Sequence, residues 1–229
     1  MKKFVTFSYD DGVTQDQRLI EILDKYGLKC TFNLNSELLG TGGAAFHENK
    51  TVAHVKPRKE EIKGIYRNHE VAAHTLTHPP LWDLSEEELI RQVEQDRENL
   101  SELVGYEVQG MAYPYGHNDD RIAELIGKHT KIRYARTVTS TYHFEPQENL
   151  LRFNPTVYHR EKKQMMALAK EFVELETETP KLFYIWGHAY EFDIDNSWAW
   201  FEEFCKIISG KEDIYYGTNA EVLKEMRRV

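Results

Sequence analysis

Two cysteines in 229 residues, Cys30 and Cys205, are too few for a disulfide framework. Each falls in an apolar run, so both read as buried thiols. No stretch approaches the roughly 20 apolar residues that a membrane span needs. Basic charge is short as well. Lys and Arg number 29 against 38 Asp and Glu, a formal net charge of −9. That is the reverse of the basic stripe carried by nucleic-acid binders, and it gives no sign of an anionic membrane as partner. Repeats, low-complexity tracts and Pro/Gly/Ser linkers are missing, so one domain over residues 1–229 is expected. After Met1-Lys2-Lys3 there is no apolar signal core, which sets a cytoplasmic expectation.

What is present suits a soluble enzyme: 41% hydrophobic and 12% aromatic residues, and enough length for one α/β core. Short β-branched or aromatic runs alternate with amphipathic segments. Strands are expected at 4–8, 30–34, 70–73, 108–113, 134–138, 154–158, 182–186 and 214–216. Helices are expected at 15–26, 58–66, 85–104, 119–126, 160–175, 197–208 and 219–227. The longest opens on Ser85-Glu86-Glu87-Glu88, a capping-box pattern. Strand–helix alternation at this spacing argues an α/β fold with seven to eight parallel strands closing into a barrel. Residues 40–56 break the pattern and read as a loop or hairpin that could wall a substrate cleft.

The chemistry concentrates at strand ends. The first strand ends in Asp10-Asp11-Gly12, where two like charges side by side argue for a cation or a task. In parallel α/β folds that end is where ligands bind. A second group is His74-Thr75-Leu76-Thr77-His78. The spacing alone is weak, because ten histidines in 229 positions yield about 0.4 such pairs by composition. Its context is stronger: an apolar strand leads into His74, and Pro79-Pro80 stop a regular helix. One helical turn there would put both imidazoles on one face. Two neutral imidazoles and a carboxylate, with Asp11 as third ligand, make the donor set of an open zinc site. Trp186-Gly187-His188 brings a third imidazole to another strand end.

The succession of Ser8-Tyr9-Asp10-Asp11-Gly12, His74 to His78, Ala112-Tyr113-Pro114-Tyr115 and Trp186-Gly187-His188 resembles the polysaccharide deacetylases, a family of carbohydrate esterases, over nearly the whole chain. The resemblance implies a distorted, often incomplete (β/α) barrel. It also implies a divalent metal, usually zinc, with cobalt, nickel or iron open, and removal of N- or O-acetyl groups from a saccharide. It assigns Asp10 as general base and Asp11, His74 and His78 as metal ligands. His188 becomes general acid, and the backbone N–H of Tyr115 the oxyanion donor. Trp186 stands where relatives commonly carry the leucine of the acetyl pocket; Arg136, His159 and Tyr113 are further pocket candidates.

Two departures stand out. Ala112 replaces the arginine that orients the base in relatives, and Arg136 is the nearest substitute by topology. The aspartate that tunes the acid histidine has no counterpart, leaving Glu191 or Asp193 for the task. Tyr190, Phe192, Trp198 and Trp200 form a candidate sugar-stacking group. The expected substrate is a soluble saccharide or small acetylated molecule. A non-sugar C–N hydrolase and a non-catalytic saccharide binder are the alternatives.

Overall fold

The computed structural model describes residues 1–47 and 49–228. In chain order the elements are β1 (Lys3–Asp10), α1 (Asp16–Lys25), β2 (Cys30–Leu34), β3 (Ala44–His47), β4 (Lys50–Ala53), α2 (Lys59–Ile65), β5 (Glu70–Ala73), α3 (Glu86–Val104) and β6 (Gly110–Ala112). Then come α4 (Asp120–His129), β7 (Tyr134–Arg136), β8 (Val157–Tyr158), α5 (Lys162–Glu174), β9 (Lys181–His188), α6 (Glu191–Ile194), α7 (Trp198–Ile208), β10 (Ile214–Tyr216) and α8 (Asn219–Met226).

The main sheet runs β7-β6-β5-β2-β1-β9-β8, every pairing parallel. β9 pairs with the full length of β1, so β10 and β2 share the other edge. β10 takes Lys3 to Val5 and β2 takes Phe7 to Asp10. The sheet curls until its ends meet at one bridge, Arg136 to Phe153. The Phe153 N–H donates to the Ala135 carbonyl at 2.8 Å, and its carbonyl accepts from Thr137 N–H at 3.0 Å. A few residues on, Val157 and Tyr158 pair with β9. One broken strand therefore closes the distorted (β/α) barrel.

All eight residues of β1 are buried, as expected where helices cover the outside of a parallel sheet. Side chains alternate between faces. Phe7 meets Phe201 and Phe204 of α7 edge-on, and Tyr9 stacks on Phe192, so odd positions build the layer under the helices. Even positions turn inward, and from Thr6 onward they are polar: Thr6 bonds Asn219, Ser8 bonds Asn33 and Arg136, and Asp10 follows at the rim. Each apolar side chain packed outside contributes about 1.5–3 kcal/mol of burial. On the inner face, Phe4 packs with Phe153, Leu182, Tyr184 and Val222 at the start of the strand, and hydrogen bonding takes over toward the rim.

Local differences from the sequence reading have physical causes. Ser85 caps α3 by accepting from Glu88 N–H at 3.2 Å, but the Glu88 carboxylate is held by Arg91 and Gln92 instead of returning to the cap. Half of the expected box forms. Residues 40–56 contain an antiparallel hairpin, β3 with β4; Glu48, inside that stretch, lies outside the described residues. Cys30 and Cys205 are buried and unpaired. Among the described residues no helix is long and apolar enough to cross a membrane.

Candidate active site and metal centre

Asp10, Ala73, Ala112, Arg136 and His188 are the last residues of β1, β5, β6, β7 and β9, so one rim of the barrel collects the polar groups. Register does the aiming. Asp10 is the cross-strand partner of His188 on one side and of Asn33 on the other, so all three side chains share a face. Ala112 is likewise the partner of Arg136, and its bare methyl leaves room for the guanidinium.

Asp10 is nearly fully buried. Its Oδ1 accepts from Asn33 Nδ2 at 2.8 Å, and its Oδ2 accepts from Arg136 Nη2. Burial alone pushes this carboxyl up. The Arg136 guanidinium, helped by His74 and His188, outweighs it and holds Asp10 below the usual carboxylate range. Arg136 is itself fully buried, and its other donors reach Ser8 Oγ at 3.2 Å and the Thr137 carbonyl at 2.9 Å.

Asp11, His74 and His78 bring one ligand atom each to within 4.8 Å of one another. Asp11 Oδ1 lies 4.0 Å from His74 Nε2 and 3.9 Å from His78 Nε2. The donor set fits a divalent ion. A carbonyl can only accept, so the 2.8 Å contact of His74 Nδ1 with the Ala112 oxygen fixes the proton on Nδ1 and leaves Nε2 free to ligate. Burial pushes His74 down and, reinforced by the charge of His74, pushes His78 down to about 4, so both are neutral at pH 7. Burial opposes the charge on Asp11, but a hydrogen bond from His54 and the charges of His188 and Lys56 hold it well below its ordinary value.

The helical turn expected for His74 and His78 does not form. The segment is irregular, with Thr75 and His78 at φ of +68° and +58°. It is held from outside: His74 N–H donates to Asp96 Oδ2 at 2.9 Å, Asn35 Nδ2 donates to the carbonyls of His74 and Thr75, and Gln92 Oε1 accepts from Thr77 N–H. Of the six non-glycine residues at positive φ among the described residues, Asp11, Thr75, His78 and Tyr115 lie here. Each such residue costs on the order of 1–3 kcal/mol, a cost that clusters where geometry serves a task.

His188 stands 3.9 Å from Asp10 through Nε2, while Nδ1 meets Glu191 Oε2 at 3.1 Å. Burial would lower its pKa, but the charge and hydrogen bond of Glu191, with Asp11 and Asp10, raise it to about 9. Glu191 is buried at the start of α6 rather than on a surface loop, and Asp193 bonds Trp198 instead. Replacing Glu191 by Gln removes the largest raising cause. In metal-free protein the His188 titration, followed by NMR, should then fall well below 9; an unmoved midpoint would overturn the assignment. The sign for stability follows. The raised pKa stabilises the fold fully below pH 6.5, and that contribution is lost as pH climbs through about 9.

The remaining candidates divide. Tyr115 sits in a 3₁₀ turn with its ring 4.5 Å from that of His78. Trp186 lies under the Arg136 guanidinium at 4.5 Å and stacks on Tyr158. His159 does not line the opening: it is buried between Tyr9 and Glu191, and a Cβ on Gly187 would come within 2.6 Å of its ring. Tyr113 points away from the site, its hydroxyl donating to the Leu151 carbonyl at 2.6 Å. Phe192 and Trp198 belong to the core rather than to a sugar platform. The exposed aromatics near the metal cluster are Tyr115 and Trp82, the latter stacked on His117 at 4.0 Å. Asn33, His54 and Lys56 escaped the sequence reading. A histidine-bearing insertion was visible, but nothing in its pattern told His47 from His54.

Comparison with known proteins agrees with this architecture. The family model described as polysaccharide deacetylase matches residues 1–134. No curated protein matches the sequence. Among solved structures, the Xyl-CE4 domain of a multidomain xylanase from the hindgut metagenome of Trinervitermes trinervoides superposes with a TM-score of 0.61 at 17% identity, over 98% of this chain and 91% of that one. A family 4 carbohydrate esterase from Streptomyces lividans, in complex with acetate, gives 0.59 at 15% identity, over 94% and 92%. A polysaccharide deacetylase from Bacillus cereus gives 0.52 at 19% identity over 64% of this chain, which spans only 44% of that protein. At these identities the structural matches speak for the fold.

Proposed function

From the premise that this chain belongs to the polysaccharide deacetylase family, we propose that it hydrolyses the acetyl group of an N- or O-acetylated saccharide or related small molecule. The observation that carries the reading is the cross-strand pair Asp10 and His188, a carboxylate held anionic and an imidazole held protonated, beside three converging metal donors. Opposite protonation states in neighbouring groups are what paired base and acid catalysis requires.

A divalent ion held by Asp11, His74 and His78, zinc being the first expectation, would supply Lewis acidity, polarising the acyl carbonyl and acidifying water. Asp10 takes the proton of the attacking water, its carboxylate oriented by Asn33 and Arg136. The amide N–H of Tyr115, in its strained turn, holds the oxygen on which negative charge develops. His188 gives its proton to the departing nitrogen or oxygen, and Glu191 stabilises the imidazolium beforehand. Acetate and the free amine or alcohol result. The exposed rings of Tyr115 and Trp82 favour a saccharide, whose apolar faces pair with flat aromatics. The acetate complex of the Streptomyces lividans esterase supports the acyl group.

The test is metal content by elemental analysis, with acetate release from acetylated chitooligosaccharides, on the wild type and His74→Ala. Roughly one ion per chain, absent from the variant together with activity, is expected. A wild type that takes up no divalent metal would overturn the mechanism.

A further inference from the structure

The hairpin of β3 and β4 ends in a segment that crosses the metal donors. Residues 53–56 are tied to the loop after β1: Thr14 N–H donates to the Val55 carbonyl at 2.8 Å, and Gln15 Nε2 to the Ala53 carbonyl at 2.7 Å. Between those ties, alternate side chains turn inward. His54 Nε2 lies 3.1 Å from Asp11 Oδ2, the oxygen other than the one nearest His74 and His78. Lys56, nearly fully buried, donates from Nζ to the Asp11 carbonyl and to Asn35 Oδ1 at 3.2 Å. The His54 ring is braced edge-on against Tyr190 at 5.0 Å.

We infer that this strap is a built-in clamp on Asp11, and that His54 is a positioning residue that fixes how the carboxylate meets the ion. A carboxylate can only accept, so the proton at this contact lies on His54 Nε2, and the bond turns Oδ1 rather than Oδ2 toward His74 and His78. That orientation favours Asp11 as a one-point ligand and keeps coordination positions open for water and substrate. Lys56 acts one bond away. It anchors the carbonyl of a residue held at φ +78°, a conformation a non-glycine residue keeps only when its surroundings enforce it. The inference rests on Asp11, His74 and His78 being the metal site.

The experiment is chelator competition for Zn²⁺, with the visible spectrum of the Co²⁺-loaded protein, on wild type, His54→Ala and His54→Gln. His54→Ala should bind metal about 10–100-fold more weakly, the range that follows loss of an outer partner of a ligand. Its Co²⁺ bands should weaken as Asp11 swings to two-point contact and coordination rises. His54→Gln, whose amide donates from a similar position, should recover most of the affinity and the wild-type spectrum, with the fold checked by circular dichroism. Unchanged affinity and spectrum in His54→Ala would overturn the clamp. So would a glutamine variant no better than alanine, since that behaviour belongs to a direct ligand or a packing residue. A wild type that binds neither ion removes the metal site itself, and the clamp with it.

Discussion

Asp10→Asn should bind as much metal as the wild type while kcat falls about 10²–10⁴-fold, the range general-base catalysis supplies. Asparagine keeps the shape of the side chain and an oxygen for Arg136, and it leaves Asp11, His74 and His78 untouched. What it removes is the group that takes the proton. KM should change little, because Asp10 sits at the floor of the site and is nearly fully buried. Single-turnover acetate release, read beside metal content and saccharide affinity, separates the cases. Turnover lost with binding and metal intact excludes a protein that only binds sugars. Turnover retained would mean that the base is another group.

Arg136→Leu should be the most damaging change to the fold among the site residues. It removes the cation from a buried pair and leaves the Asp10 carboxylate with Asn33 as its hydrogen-bond partner and His188 3.9 Å away. Breaking such a pair costs about 3–5 kcal/mol, readable by urea denaturation. The pH behaviour has a definite sign. With Arg136 present, the depressed Asp10 pKa stabilises the fold above the ordinary carboxylate range, and that stability is lost as pH falls through the native value. Without Arg136 the largest force opposing burial is gone, with His74 and His188 left to resist it, so the Asp10 pKa rises and the acidic limb of the rate profile moves to higher pH. Arg136→Lys should rescue only partly, because one ammonium cannot reach Asp10, Ser8 and the Thr137 carbonyl together. A leucine variant with unaltered stability and pH profile would sink this account.

Periodicity was enough to read most of the architecture. Cys30–Leu34, Glu70–Ala73 and Ile214–Tyr216 are bounded as expected, since apolar runs flanked by polar turns leave little freedom in where a strand begins. β6 is shorter than the expected 108–113, and β8 shorter than 154–158. In both, backbone hydrogen bonds to the neighbouring strand continue past the regular ladder, from Tyr113 to Arg136 beside β6 and from Thr156 to Tyr184 beside β8, so the difference lies at the ends. The Asp10-Asp11 dipeptide and the His74 to His78 spacing are contiguous signals and stand out unaided. The Arg136 contact with Asp10 spans 126 residues and depends on the register of β6 with β7. The Glu191 contact depends on a turn that folds back on β9, and the His54 contact on where an insertion comes to rest. Arg136 and Glu191 could still be named in advance, as stand-ins for a missing arginine and a missing aspartate, but nothing in a single sequence marked His54 as the partner of Asp11. His159 looked open to the cleft because nothing in its local sequence shows that Tyr9 and Glu191 enclose its ring.

Arg136 also sits at the barrel's seam, and this joins two properties that are usually separate. Its backbone makes the bridge to Phe153 that brings the ends of the sheet together, while its side chain holds the charge of Asp10. A chain whose last strands dock out of step therefore also leaves Asp10 without its guanidinium partner. Under the proposed mechanism, assembly and activity would then share one checkpoint, the closing of the circle at Arg136.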